Sequence, residues 1–353
     1  MRKDYRWINL SKEEIDNIKK SFSIIPWEAK EYFDIKPFFS ITLTQSCPLK
    51  CKYCGEGGEC TLSKKKEHDL AILEKRLYDI SSIGINKIRL TGGEPFLYKD
   101  VDKILKTIKD CDFKFFVLIN TNGIKNIRKY ARLLSDIDAK LVVHLDTIRP
   151  ELYSTITNSS KSKLDKVCDT INLLNDYGVL HRLNIVISKY NKSNFFEMIN
   201  FAKKYNTNIK AFDVCEVPKA YTPKSNVWVP IDDIIQKLEE KSEKIFDHWY
   251  AQAFGTPVKI YKIDGILVSI KYTKHGSRYN PLTYCKECSY FPCDEGLYDI
   301  LYYPDDTVWG CRWRRPAFLN NNFLHDLTRV IKCYQRARWF IGNKFVEDEN
   351  GKR

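Results

Sequence analysis

The chain has 353 residues, 43% of them hydrophobic and 29% charged, which allows a large buried core and excludes a disordered protein. Lysine and arginine outnumber aspartate and glutamate by 13, which suits an anionic partner; the densest basic block, Lys64 to Lys66, is too short for a nucleic-acid tail. The N-terminus lacks the apolar core of a signal peptide and no apolar run of about 18 residues occurs, so a cytoplasmic protein without a membrane span is expected.

Residues 1–36 read as an N-terminal extension, either a cap on the adjoining domain or a segment that receives a leader peptide by strand addition. From residue 38 to about 216, short β-branched or aromatic runs alternate with amphipathic stretches, the pattern of βα units around a parallel sheet. The predicted strands are FFSITLT (38–44), KIRLT (87–91), KFFVLIN (114–120), KLVVHLD (140–146), RLNIVIS (182–188) and IKAFDVCEV (209–217). Between them, DLAILEKRLYDISSIG, VDKILKTIKD, IRKYARLLSD, SKLDKVCDTINLLNDYG and FFEMINFAKKYN repeat apolar residues at helical spacing, and Gly84 and Gly178 stand where helix C-caps belong. The expected fold class is α/β, a partial (β/α)6 TIM-like barrel over residues 37–228.

After residue 228 the pattern changes. VPIDDIIQKLEEK reads as a helix, PVKIYKI and ILVSIKYT as a hairpin, and LYDILYYPDDTVWGCRW as two strands around a PDD turn. Residues 229–353 are expected to form a smaller C-terminal domain.

Twelve cysteines in a large chain without an export signal argue against a disulfide framework, and seven of them fall in two groups, which points to metal. Cys47, Cys51 and Cys54 follow the first strand, at the mouth of a parallel sheet where α/β folds build their sites. Their spacing lets one loop present three thiolates to a cubane iron–sulfur cluster while one iron keeps an open position. Zinc closed by Cys60 is the alternative. Cys285, Cys288, Cys293 and Cys311 form the second group, able to hold a second [4Fe–4S] cluster or a structural zinc. Cys60, Cys111, Cys168 and Cys333 are expected to be packing residues.

C-x3-C-x2-C with Tyr53 before its last cysteine, followed after the second strand by Thr91-Gly92-Gly93-Glu94-Pro95, resembles the radical S-adenosylmethionine (SAM) superfamily. The resemblance implies that Cys47, Cys51 and Cys54 hold a [4Fe–4S] cluster whose fourth iron is chelated by SAM. It further implies reductive cleavage of SAM to a 5′-deoxyadenosyl radical, fed by an external one-electron reductant such as flavodoxin or ferredoxin. Gly92, Gly93 and Glu94 match the motif that contacts the methionyl amino group, and Tyr53 falls in the same cofactor-binding set.

IRLTGGEPFL, NTNG, VHLDTIRPELYSTIT, LNIVISKYN and a late CxxC with a further cysteine are similar to the GTP 3′,8-cyclase branch, which carries a C-terminal auxiliary cluster. In that comparison Arg89 and Arg182 fall at substrate-binding positions, His144 replaces a serine and Cys215 a methionine that contact SAM, and Ser40 replaces an arginine. The R-x-R after the second CxxC is missing. Arg312, Arg314 and Arg315 beside Cys311 either bind an anion or offset the charge of a cluster. Two substrate classes remain: an anionic small molecule, among them a nucleotide, or a peptide modified with help from the auxiliary cluster. Asp146 is a weaker candidate than His144, and Asn122 is expected to serve its Asn-Gly turn.

Overall fold

The computed structural model describes residues 38–56, 58, 63–215, 220–248, 258–280, 284–286, 288–291, 293, 295–297, 299–313, 322–335, 337–341 and 344–346. The expected N-terminal extension, Cys60, Arg314 and Arg315 lie outside the described residues. In chain order come β1 (Phe39–Thr44), α1 (Leu70–Ser82), β2 (Lys87–Gly92), α2 (Val101–Asp110), β3 (Phe116–Thr121), α3 (Ala131–Asp136) and β4 (Lys140–His144). They continue with α4 (Pro150–Thr157), α5 (Ser162–Asp176), β5 (Leu180–Ile187), α6 (Phe195–Lys204) and β6 (Asn208–Asp213). Strands β1 to β6 lie side by side in that order, all parallel.

Local chemistry sets the boundaries. Asp69 caps α1 by accepting from the Ile72 N–H, and Gly84, at φ +86°, takes the left-handed turn that lets the chain leave for β2. The sixth strand ends at Asp213 and not at 217, where the Asp213 carboxylate accepts from the Thr273 hydroxyl at 2.6 Å and the Trp228 indole at 3.3 Å. Helix α4 was not expected. It has eight residues, Pro150 at its first position and left-handed Asn158 at its end, too short to show a helical period.

Side chains alternate along each strand. One row, including Ile41, Leu43, Ile88, Leu90, Val117 and Ile119, packs on the helices in the main core. The opposite row is polar where a fully buried parallel sheet would be apolar: Arg89, Asn120, His144, Arg182, Asn184 and Lys210 line a cavity. Phe38, Leu118 and Val142 form a separate apolar cluster with Phe116 packed on it, and Val142 also lines the cavity.

Beyond α7 (Asp232–Lys241) the sheet continues. β7 (Lys244–His248), β8 (Val258–Ile263) and β9 (Ile266–Lys271) form an antiparallel meander whose last strand pairs in parallel with β6. β10 (Ser277–Tyr279) follows, and then β11 (Ile300–Tyr302), which pairs in parallel with β1 and turns back into β12 (Val308–Trp309). The sheet of the described residues therefore has eleven strands, ordered β12-β11-β1-β2-β3-β4-β5-β6-β9-β8-β7, and stays open between its edges. The change of pattern after residue 228 marks the end of the βα units and not the end of the sheet: the predicted hairpin and strand pair flank the barrel. α8 (Phe323–Gln335) leads to β13 (Arg338–Ile341) and β14 (Lys344–Val346), which with β10 make a three-stranded sheet. Among the described residues, no helix is long and apolar enough to cross a membrane.

Candidate active site

The loop carrying Cys47, Cys51 and Cys54 leaves β1 and is pinned by backbone on two sides. Helix α4 supplies one side: the Lys50 and Lys52 N–H groups donate to the carbonyls of Thr157 and Ile156 at 3.1 and 2.9 Å. Those carbonyls belong to the last turn of a helix, which has no partners of its own for them. The end of β2 supplies the other, where Gly93 N–H donates to Thr44 O at 2.7 Å and Glu94 N–H to Ser46 O at 2.8 Å. This approach needs glycine. Gly92 sits at φ +142°, and a Cβ on Gly93 would lie 2.4 Å from the Ser46 carbonyl oxygen.

The loop closes one wall of a cavity of about 580 Å³. Cys47, Cys51, Tyr53, Cys54, Gly92 and Gly93 line that wall, while Arg89, Arg182, Lys210, Lys271, Arg312 and Cys215 line the rest. The cysteine motif, the glycines and three of the five arginines singled out from the sequence, Arg89, Arg182 and Arg312, thus meet in one space.

The Glu94 carboxylate is fully buried, accepting from the Asn122 N–H at 2.7 Å, the Thr121 hydroxyl at 2.9 Å and the Phe96 N–H at 3.2 Å, and it lies within electrostatic reach of Cys47. Burial pushes its carboxyl up to about 7 against the pull of those donors. The side chain ties the end of β2 to the end of β3, beside the glycine pair that lines the cavity.

Tyr53 has partners the sequence did not reveal. Its hydroxyl donates to Asp146 Oδ2 and lies 2.6 Å from His144 Nε2, which is also 3.1 Å from the Asp146 carboxylate. The single phenolic proton goes to Asp146, and His144 Nε2 faces both the Tyr53 oxygen and the Asp146 carboxylate. Asp146 is held in turn by the Val186 N–H at 2.7 Å. Burial pulls the His144 imidazolium down, yet the Asp146 carboxylate outweighs it and raises His144 above its ordinary 6.5. Asp146→Asn removes that charge and leaves burial unopposed. In the metal-free protein, the His144 resonances should then titrate below 6.5 instead of above it.

Asn122 serves its turn by accepting from the Ile124 N–H at 3.1 Å, and its amide also points at Cys47 Sγ from 3.6 Å. Arg89 pairs with buried Asp299 at 2.8 Å, an acid that also accepts from Ser40 at 2.7 Å. Buried Glu295 gathers Arg312 Nε at 3.4 Å, Lys271 Nζ at 3.7 Å and the Cys215 thiol at 3.4 Å. Burial, with Glu295 beside it, pushes Cys215 far up, so its thiol keeps its proton and is engaged away from the cysteine loop. Lys210 and Lys271 escaped notice in the sequence, although the I-K-A-F-D alternation of β6 puts Lys210 on the same face as Phe212, which also lines the cavity.

Burial pushes the Cys47 and Cys51 thiols up, so they form thiolates only beside a positive partner. Among the described residues, no three His, Cys, Asp or Glu side chains converge as ligands of a single metal ion. A cubane presents its irons at separate corners, and three thiols spaced along the rim of one cavity suit that donor set. In the second group, Cys285 and Cys311 pack on the core beside Tyr284, whose phenol is raised first by burial and then by the sulfurs of Cys311, Cys333 and Cys285. Cys333, expected as a packing residue, is buried within this neighbourhood, while Tyr279 donates to the Cys293 carbonyl.

Residues 41–202 match the family model of the radical SAM superfamily. That stretch is a radical SAM domain, the chain is an enzyme, and domains of this kind use a [4Fe–4S] cluster and SAM. The GTP 3′,8-cyclase of Limosilactobacillus fermentum is 25% identical over 267 residues, 73% of this chain and 76% of that protein. The probable GTP 3′,8-cyclase of Methanococcus aeolicus is 27% identical over 284 residues, 74% of this chain and 87% of its own length. Among solved structures, Streptococcus suis SuiB bound to S-adenosylmethionine shares the fold with a TM-score of 0.57 at 17% identity, covering 86% of this chain and 67% of that one.

Proposed function

We propose that this enzyme cleaves SAM in the cavity below the Cys47–Cys51–Cys54 loop and abstracts hydrogen from an anionic small molecule, among the candidates a nucleotide. The observation that carries the reading is the row of cations from β2, β5, β6, β9 and the segment after β12: Arg89, Arg182, Lys210, Lys271 and Arg312 line one cavity with the cysteine motif. Cys47, Cys51 and Cys54 would hold the [4Fe–4S] cluster, and the Gly92–Gly93 backbone and Tyr53 would seat SAM beside it. When bound, that pair supplies one-electron reductive cleavage and a carbon-centred radical. The protein contributes placement: Asp146 and His144 fix the Tyr53 hydroxyl.

Cys285, Cys288, Cys293 and Cys311 would hold an auxiliary cluster, in line with the kinship to the cyclases. The setting is the cytoplasm, with an external one-electron reductant of the flavodoxin or ferredoxin kind. A peptide substrate is the second reading, supported by SuiB bound to its precursor peptide SuiA, which shares this fold over 90% of the chain at a TM-score of 0.54.

The test is 5′-deoxyadenosine formation, followed by mass spectrometry, from anaerobically reconstituted and reduced protein given SAM with and without GTP and other nucleotides. Stimulation by one nucleotide identifies the substrate class. Slow formation indifferent to all of them favours the peptide reading, and no formation at all overturns both.

A further inference from the structure

The rim around the cysteine loop carries cations that no acid answers. Lys50 and Lys52 flank Cys51, and Lys50 is exposed. Lys163, on the first turn of α5, donates to the Pro48 carbonyl at 2.9 Å and lies within electrostatic reach of Cys47. Lys189, exposed just past β5, shares the Tyr190 ring with Lys52, the two ammonium groups lying 5.4 and 5.7 Å from its centroid.

Among the described residues, none of these four lysines makes an ion pair. Nearby acids are engaged with other cations: Glu151 with Lys161, Glu197 with Arg149 and Asp233 with Lys192. Glu56 and Asp165 offset part of the charge and leave the balance positive. Lys50 also lines the cavity; Lys52, Lys163 and Lys189 do not, so a small substrate inside is not their counter-ion. Two ammonium groups on one ring repel each other, and an acidic surface laid over them relieves that repulsion.

We infer that this rim is the docking face of the one-electron carrier, a small acidic protein whose carboxylates meet Lys50, Lys52, Lys163 and Lys189. The inference rests on the reaction reading above and places its partner. Electron transfer falls steeply with distance, so a carrier works only from the surface nearest its acceptor. These lysines stand on, or directly against, the loop that bears Cys47, Cys51 and Cys54. In the exchange the carrier loses one electron and the cluster gains it, with no bond made or broken.

The experiment is calorimetry of flavodoxin binding to the anaerobically reconstituted full chain, with the rate of cluster reduction by reduced flavodoxin followed in parallel by visible absorption. The two proteins should bind, and the affinity should fall about tenfold or more between roughly 50 and 300 mM salt, as screening of exposed charges requires. Lys52→Glu/Lys189→Glu should weaken binding about tenfold or more, and reduction at sub-saturating flavodoxin should slow in step. Lys75→Glu/Lys106→Glu, on exposed positions of α1 and α2, makes the same change in net charge and should bind within about twofold of the unaltered protein. Iron content and circular dichroism of both variants separate loss of docking from loss of the loop. Salt-independent binding, equal weakening in the two double variants, or no binding by the unaltered protein overturns the inference. Flavodoxin binding without any 5′-deoxyadenosine formation sinks the reaction reading alone; SAM cleavage under a chemical reductant with no flavodoxin binding sinks the docking face alone.

Discussion

Replacing Cys51 with alanine should remove the visible iron–sulfur absorption and lower 5′-deoxyadenosine formation by about three orders of magnitude or more, the collapse expected when groups that act as a unit lose a member. Of the three thiols on the loop, Cys51 is the buried one, and it lies within electrostatic reach of both Cys54 and Cys47. The backbone around it is fixed independently of the thiol, through Lys50 and Lys52 to the end of α4. Truncation therefore leaves a folded loop with two thiols and no third corner for a cubane. Cys168→Ala, on the half-buried face of α5, is the control and should retain iron, sulfide and activity. Full iron content and normal SAM cleavage in the Cys51 protein would remove the loop from the catalytic centre.

Gly93→Ala should cost about 3 kcal/mol of stability in urea unfolding, at the upper end of what overpacking does. The added methyl would meet the Ser46 carbonyl oxygen at 2.4 Å and the Gln45 carbonyl oxygen at 2.7 Å. Both are backbone atoms, so no side-chain rotation relieves the clash. Whatever relief occurs must push the cysteine loop away from β2, and SAM cleavage should fall further than the loss of folded protein explains. Gly178→Ala separates crowding from backbone conformation: Gly178 is left-handed at φ +66° with nothing near its missing Cβ. It should cost only about 1 kcal/mol, the intrinsic penalty of that conformation. Equal costs at the two positions would show that β2 and the cysteine loop are not packed as tightly as described.

The six parallel strands were legible because each is a β-branched run bounded by a helical period, and both signals are local. The continuity of the sheet was not. β6 joins β9, and β1 joins β11 some 260 residues away by the Phe39–Ile300 pairing, so no window of sequence holds both partners. α4 was too short to announce itself, yet its last carbonyls hold the cysteine loop. In the site, residue types were readable and directions were not. Glu94 was visible as a carboxylate beside two glycines, but its inward turn depends on donors from Thr121 and Asn122 on another strand. Lys210 was hidden for the opposite reason. A lysine in a strand reads as a solvated side chain until the polar row of the neighbouring strands shows which face is hollow.

The fastening of the cysteine loop has a consequence for how the sequence can drift. Lys50 and Lys52 are tied to Thr157 and Ile156 peptide to peptide, as Gly93 and Glu94 are to Thr44 and Ser46. Outside the glycine, the loop's shape is therefore indifferent to which side chains stand at these positions, and substitutions there can accumulate while the three thiols keep their places.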